Sequence, residues 1–155
     1  MEDLEFKYKK RKNVIDTITN IINSYPTNNP EDTVVIYDID DTLIDSNTEE
    51  PIQDVLNTYN SALSKGFTLV LITARPKTVS SINQTILDLQ KCQIKNFKAI
   101  YFFERNNCNS DIYKCVEKYK ENARLDVNTR GYKVLMSIGD MYWDIGKHGG
   151  LGFLV

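Results

Sequence analysis

A dense group of aspartates, Asp38, Asp40 and Asp41, directly follows the apolar segment Thr33 to Tyr37. A short β-branched and apolar run of this kind predicts a buried central strand. Carboxylates that emerge together from a low-dielectric interior are unfavourable unless a cation or a proton compensates their charge. Mg²⁺ is the expected partner, because it prefers oxygen ligands and commonly takes one or two carboxylates together with a substrate phosphate. Asp38 and Asp140 fit that role.

The elements that must position these aspartates alternate along the chain. Four further apolar runs predict strands at Phe67 to Thr73, Phe97 to Phe103, Tyr132 to Ile138 and Leu151 to Val155. Helical patterns separate them: one follows Pro51 and stops at Gly66, and another runs through Arg130. Between these, Pro76 is expected to open a helix whose apolar face carries Val79, Ile82, Ile86 and Leu89.

Alternating strands and helices predict an α/β three-layer sandwich with a central parallel sheet. Working groups of such folds lie just beyond the carboxyl ends of the strands. Asp38, Thr73 and Asp140 each fall at the end of a predicted strand, so we expect them at one edge of the sheet. We interpret residues 1–155 as one domain, in which residues 1–25 form an amphipathic helix packed on or extending from the core. Its apolar stripe is Leu4, Tyr8, Ile15, Ile18 and Ile22.

The overall charge excludes a strong general attraction to polyanions. The 155 residues include 19 basic and 21 acidic side chains, a net charge of −2, so any contact with nucleic acid or membrane must be local. The basic run from Lys7 to Lys12 is interpreted as a solvated helix face rather than a phosphate-binding one. The chain shows no apolar signal core and no uninterrupted apolar run of about eighteen residues. We therefore expect a soluble cytoplasmic protein without membrane contacts.

The cysteines point to the same compartment. Cys92, Cys108 and Cys115 are odd in number and match no zinc or redox spacing. They are interpreted as free thiols in a reducing environment. Asp41 and Asp45 are interpreted as turn and capping residues, and the single histidine, His148, as a surface loop residue. Tyr142 and Trp143 either stack on a substrate or pack the domain edge.

Four segments, VVIYDIDDTL, LITAR, YKENAR and SIGDMYWD, resemble in this order the motifs of the haloacid dehalogenase (HAD) superfamily. The resemblance spans roughly residues 33 to 155. The acid phosphatase branch is the most similar, because it pairs a YK-x-x-x-R segment with a GY-containing strand and a GD-x-x-x-D motif. Here these are Tyr119-Lys120 to Arg124, Gly131-Tyr132, and Gly139-Asp140 to Asp144. The resemblance implies a Rossmann-like HAD fold and a magnesium-dependent phosphatase.

The resemblance also implies individual roles. Asp38 matches the nucleophile that forms an aspartyl-phosphate, and Asp40 matches the general acid that protonates the leaving oxygen and then activates water. Thr73, with Ala74, matches the phosphate-binding segment, although the branch usually has glycine where this chain has Ala74. Lys120 matches the cation that neutralises the phosphoryl group. The implied metal ligands are Asp38, Asp40, Asp140 and Asp144, and Asp144 could instead orient Lys120.

Two assignments stay open at this point. Lys114, in a second Tyr-Lys pair, could replace Lys120, although the spacing to Arg124 favours Lys120. The loops from Ser46 to Pro51 and from Glu104 to Asp111 are too short for a cap domain, so we expect an open site that admits bulky phosphorylated substrates or is covered by a second subunit. The main hypothesis is a phosphomonoesterase. The alternatives are a polynucleotide 3′-phosphatase or nucleotidase, and a scaffold that binds phosphate or metal without catalysis.

Overall fold

The computed structural model describes residues 2–155, with side chains from Leu4 onward. Its centre is a five-stranded sheet in which every pairing is parallel. The strands are β1 (Thr33–Tyr37), β2 (Thr68–Pro76), β3 (Ala99–Phe103), β4 (Lys133–Gly139) and β5 (Leu151–Leu154), in the order β3-β2-β1-β4-β5. This confirms the predicted α/β fold with a parallel sheet. No large cap domain interrupts residues 2–155.

Among the described residues, four α-helices cover the sheet: α1 (Glu2–Ser24), α2 (Gln53–Ser64), α3 (Val79–Lys91) and α4 (Ile112–Thr129). The prediction that Pro76 opens α3 is wrong. Pro76 ends β2, where it pairs with Phe103, and the helix starts after Thr78, whose hydroxyl accepts a hydrogen bond from the Ser81 N–H at 3.2 Å. The Thr78 hydroxyl satisfies one of the free N–H groups of the first helical turn. Val79, the first residue of α3, is exposed rather than on the buried face.

The two faces of the sheet carry separate apolar clusters because side chains alternate along each strand. Val35 and Tyr37 of β1 face the cluster that includes α1, α2 and α3 residues. Val34 and Ile36 face α4. Since β1 is buried on both faces, it reads in the sequence as a continuous apolar run.

The first turns of α1 depart from the predicted stripe. Ile18 and Ile22 are fully buried, but Leu4 and Tyr8 are exposed. The physical reason is the position at which the neighbouring helix α2 begins. Arg11 forms an ion pair with Asp54 at 2.9 Å, and Asp54 lies in the first turn of α2. Residues that precede Arg11 in α1 therefore extend past the start of α2.

The cysteines also differ from expectation. Cys108 and Cys115 form a disulfide, and Cys92 is free and buried. The loop after β3 folds back along the first turn of α4, which brings the two Cα atoms to 5.8 Å. The free-thiol prediction is thus wrong for this pair, and it no longer supports a reducing compartment. No helix within residues 2–155 has the length and apolar character to cross a membrane.

Candidate active site

Three carboxylates meet at the carboxyl edge of the sheet, between β1 and β4. One oxygen each of Asp38, Asp140 and Asp144 lies within 4.8 Å of the others. The Asp38 N–H donates to the Ile138 carbonyl at 3.0 Å, so the pairing of β1 with β4 continues past Tyr37 and sets Asp38 beside the end of β4. From β1 the chain moves outward to β2 and β3, then returns to the other side for β4. Ligands of open parallel sheets bind at such a switch point.

Lys120 is the cation of this cluster. Only 2% of the residue is exposed, and its Nζ donates to Asp38 Oδ1 at 3.0 Å, to the Ile72 carbonyl at 3.1 Å and to Asp144 Oδ1. Three acceptors use the three donors of an ammonium group. Lys114 is exposed on α4. The geometry therefore favours Lys120 over Lys114 as the lysine of the site.

The charges of the cluster do not balance, because three carboxylates share one ammonium group. Burial raises the pKa of Asp38 well above its usual range, more than the neighbouring Lys120 lowers it. Burial likewise raises the pKa of Asp140. Burial alone would lower the pKa of Lys120, but Asp38 and Asp144 outweigh it and raise that pKa. Excess negative charge on hard oxygen ligands is the environment that suits a divalent cation such as Mg²⁺.

Asp144 is held by contacts on both carboxylate oxygens. Oδ1 accepts from Lys120, while Oδ2 accepts from the N–H groups of Asp140, at 3.1 Å, and Met141, at 3.0 Å. A side chain on Gly139 would collide with the Asp144 carboxylate, which explains why glycine precedes Asp140. Both observations fit the expectation that Asp144 orients Lys120 rather than serving only as a direct metal ligand.

The phosphate-binding candidates lie at the end of β2. Thr73 is fully buried, and its hydroxyl oxygen accepts from the Arg75 N–H at 3.1 Å. The Tyr119 hydroxyl donates to the Thr73 carbonyl at 2.7 Å, so β2 and α4 are joined next to Lys120. Ala74 does not adopt a positive φ, so alanine replaces the usual glycine without backbone strain.

Asp40 lies apart from the carboxylate cluster. Its carboxylate accepts from Arg75 Nε at 2.9 Å and from Arg75 Nη2 at 2.8 Å, a bidentate pair. Arg75 Nη1 also donates to Asp88 at 2.8 Å and to the Thr85 hydroxyl at 3.1 Å. The structure thus does not bring the Asp40 side chain to the three carboxylates. Sequence reasoning missed the role of Arg75, although the signal, a cation directly after a strand, is present in LITAR.

Two more contacts were missed. The Thr42 hydroxyl oxygen lies 3.5 Å from Asp38 Oδ2 and 3.4 Å from Asp140 Oδ1, so it touches both carboxylates rather than only supporting its loop. Arg124 is buried and donates to the carbonyls of Trp143, at 2.9 Å, and Lys147, at 2.8 Å. It therefore anchors the loop that follows β4.

The remaining candidates lie where the sequence placed them. The Asp41 carboxylate accepts from the Ser46 N–H at 2.9 Å, and Asp45 accepts from the Asn47 N–H at 2.8 Å; both are loop contacts. His148 is exposed. The basic residues Lys7, Lys9, Lys10 and Lys12 are exposed on α1.

A doubly covered parallel sheet with aspartates and a buried lysine at its switch point defines a phosphatase of the HAD type. The model of the HAD superfamily, subfamily IIIB (acid phosphatase), matches residues 45–151. The chain belongs to this family. The matched segment contains Thr73, Lys120, Asp140 and Asp144, whereas Asp38 and Asp40 precede it. No curated protein is similar enough in sequence to match the chain.

Proposed function

We propose that this protein is a magnesium-dependent phosphomonoester hydrolase that works through an aspartyl-phosphate on Asp38. The observation that carries the proposal is the shared contact of Lys120. This one buried ammonium group binds both Asp38, at the end of the central strand, and Asp144, from the segment that follows β4. It thereby fixes a nucleophile beside a pair of carboxylates suited to a cation.

Asp38 and Asp140 would hold Mg²⁺, with Asp144 close enough to contribute through water. When bound, the ion offsets negative charge on the carboxylates and on the phosphoryl group. That Asp40 is also a metal ligand stays a prediction. Its carboxylate is paired with Arg75, which does not support that role. The donor set consists of hard oxygens only, which fits Mg²⁺ better than a softer metal.

In the proposed reaction, a carboxylate oxygen of Asp38 attacks phosphorus as the bond to the leaving oxygen breaks. Thr73 and Ala74 bind the phosphoryl oxygens, and Lys120 binds them once its Nζ releases one of its three present acceptors. The negative charge of these oxygens must be offset during in-line transfer. Asp40 gives a proton to the leaving alcohol and then takes one from the water that hydrolyses the aspartyl-phosphate. Arg75, the bidentate partner of Asp40, would hold this carboxylate in one orientation between the two proton transfers.

The first test is hydrolysis of 4-nitrophenyl phosphate in Mg²⁺ and in EDTA. We expect turnover in Mg²⁺ alone. Asp38→Asn should abolish turnover with the fold preserved, as judged by circular dichroism. Asp41→Asn is the matched control, because Asp41 bonds to Ser46 within its loop and asparagine tolerates its positive φ of 58°. Full turnover by Asp38→Asn would remove Asp38 as the nucleophile.

A second candidate activity is that of a polynucleotide 3′-phosphatase or nucleotidase. Such an enzyme needs an open site, and the described residues include no large cap. A panel of mononucleotides and 3′-phosphorylated oligonucleotides separates these activities from general phosphatase activity. Treatment with beryllofluoride distinguishes each of these enzymes from an inactive scaffold. A reactive Asp38 should give an adduct that Asp38→Asn does not.

A further inference from the structure

An aromatic cluster takes no part in the proposed reaction. Tyr113 and Trp143 are stacked, with ring centroids 5.7 Å apart and planes at 22°, and Tyr142 meets Trp143 edge-on at 5.0 Å. Tyr113 is 58% exposed and Tyr142 is 54% exposed. Rings that only filled the domain edge would bury these surfaces. Here the outer side of the cluster is open, and the exposed residues Ile112 and Met141 extend it.

The cluster lies on the rim of the active site. Tyr113 precedes Lys120 by two helical turns in α4, so both residues lie on the same face of the helix, about 10 Å apart along its axis. Trp143 directly precedes Asp144, the partner of Lys120. The same two segments are therefore joined by an ion pair inside the site and by stacked rings above it.

The backbone beneath the rings is fixed. Arg124 holds the Trp143 carbonyl at 2.9 Å, and the Asp144 N–H donates to the Met141 carbonyl at 2.9 Å. Asp111 accepts from the Tyr113 N–H at 2.9 Å. A ligand that stacks on this surface would not have to order it first, which lowers the entropic cost of binding.

The charge beside the rings narrows the class of ligand. Two carboxylates lie beside Tyr113 on α4: Glu117 follows it by one helical turn, and Asp111 accepts from its N–H. Negative charge at this position disfavours a second phosphate or a polynucleotide chain. An uncharged planar ring is compatible with both the carboxylates and the aromatic surfaces.

We propose that Tyr113, Tyr142 and Trp143 form a subsite for the leaving group, and that this subsite takes an aromatic one. The inference rests on the proposed function, because it assigns the phosphoryl group to Lys120 and the rest of the substrate to the rim. The ring could be the base of a mononucleotide or the phenyl ring of phosphotyrosine.

Binding can be followed without catalysis, since Trp143 is the only tryptophan. The Asp38→Asn protein in Mg²⁺ is titrated with AMP, phosphotyrosine and glycerol 3-phosphate while tryptophan fluorescence is recorded. We expect saturable quenching by AMP or phosphotyrosine and none by glycerol 3-phosphate. The stronger of the two quenchers identifies the source of the ring. Equal responses to all three ligands, or no response to either aromatic one, would overturn the proposal.

Kinetics provide the second readout. Tyr113→Ala and Tyr142→Ala should each raise KM for the aromatic substrate about tenfold, which is within the effect of losing one stacked ring, with kcat and the KM for glycerol 3-phosphate unchanged. Tyr8→Ala, at an exposed position on α1, should change neither constant. A KM that rises equally for both substrates would contradict the subsite. If no phosphoester is hydrolysed, the proposed function fails, and the fluorescence titration still decides whether the rings bind.

Discussion

Two cation-centred clusters lie near the carboxyl ends of the strands, and they differ mainly in burial. Lys120 contacts Asp38 and Asp144 where water is excluded. Arg75 contacts Asp40 and Asp88 with 18% of its side chain exposed, and the Asp40 side chain is 40% exposed. Each cluster joins one cation to two aspartates. Only the buried one lies beside a further carboxylate, Asp140, close enough to share an ion.

The difference shows how burial makes a cation and its carboxylates depend on one another. At the surface, water screens the charges, and an ion pair contributes about 0–1 kcal/mol. In the interior each carboxylate depends on a specific partner, because an uncompensated buried charge is strongly unfavourable. The stability of the protein should therefore depend strongly on each charge of the Lys120 cluster and only weakly on the charges of the Arg75 cluster.

Removing the buried cation should have the largest effect. Lys120→Met leaves Asp38 and Asp144 without their shared partner. We expect turnover of 4-nitrophenyl phosphate to fall by about 10³-fold or more and the free energy of unfolding in EDTA to fall by about 3–5 kcal/mol. Mg²⁺ should restore part of the stability and none of the turnover. Urea unfolding with and without Mg²⁺ measures this.

Lys114→Met is the control for this prediction, because Lys114 is exposed on the same helix. It should unfold within about 0.5 kcal/mol of the parent protein. If Lys120→Met and Lys114→Met were equally stable in EDTA, the buried cluster would not depend on its cation.

The next largest effect should come from the glycine that touches Asp144. A side chain in Gly139→Ala collides with the Asp144 carboxylate and so displaces the acceptor of the Asp140 and Met141 N–H groups. We expect Mg²⁺ affinity, measured by calorimetry, to fall about 10–100-fold. Gly131→Ala separates collision from backbone strain: no atom lies within 4 Å of its added Cβ, but its φ is +96°. It should lower stability without changing Mg²⁺ affinity.

Several candidate site residues could be predicted from the sequence because the relevant signals are local or tied to strand ends. Asp38 and Thr73 each lie where a strong apolar run stops, and parallel strands bring such ends to one edge. Lys120 was favoured over Lys114 because its spacing to Arg124 resembles that of the acid phosphatase branch. The fold was equally accessible, since every predicted strand exists and β1 has the predicted bounds.

The features that the sequence did not predict depend on side-chain directions or on relative lengths. Nothing in the spacing of Asp40 and Arg75 shows that the two side chains turn toward each other. The Cys108–Cys115 disulfide depends on how the loop after β3 folds back. Leu4 continues a correct helical period, but its exposure follows from where α2 begins.

Breaking the Arg75 cluster should have a smaller effect on turnover, and the size of this effect should depend on the substrate. Arg75→Gln removes the bidentate partner of Asp40, so the proposed general acid is no longer held in one orientation. We expect about a tenfold loss of kcat for an alkyl phosphate, whose leaving group needs a proton, and less than threefold for 4-nitrophenyl phosphate. Stability should fall by about 1 kcal/mol.

Lys77→Gln, which removes the surface pair with Glu104, is the control for Arg75→Gln and should change neither rate. Equal losses for the two substrates in Arg75→Gln would indicate that Arg75 does not act through proton transfer by Asp40.

The smallest effect should be an opposite response of the two clusters to pH in EDTA. Burial raises the pKa of Asp38 and Asp140, so the folded protein binds more protons than the unfolded chain above the ordinary aspartate pKa of 3.8. Their contribution to stability therefore falls as pH rises from about 4 toward their folded pKa values. Burial also acts to raise the pKa of Asp88, but Gln84 and Arg75 outweigh it and lower that pKa. The contribution of Asp88 to stability is present above about pH 4 and is lost in acid as pH falls through its folded pKa.

Urea unfolding across pH 3–7 measures this response. The free energy of unfolding in EDTA should decline toward neutral pH, Asp38→Asn should reduce the decline, and saturating Mg²⁺ should remove it. Stability that rises steadily from pH 4 to 7 in EDTA would mean that the three carboxylates are already balanced without a metal ion.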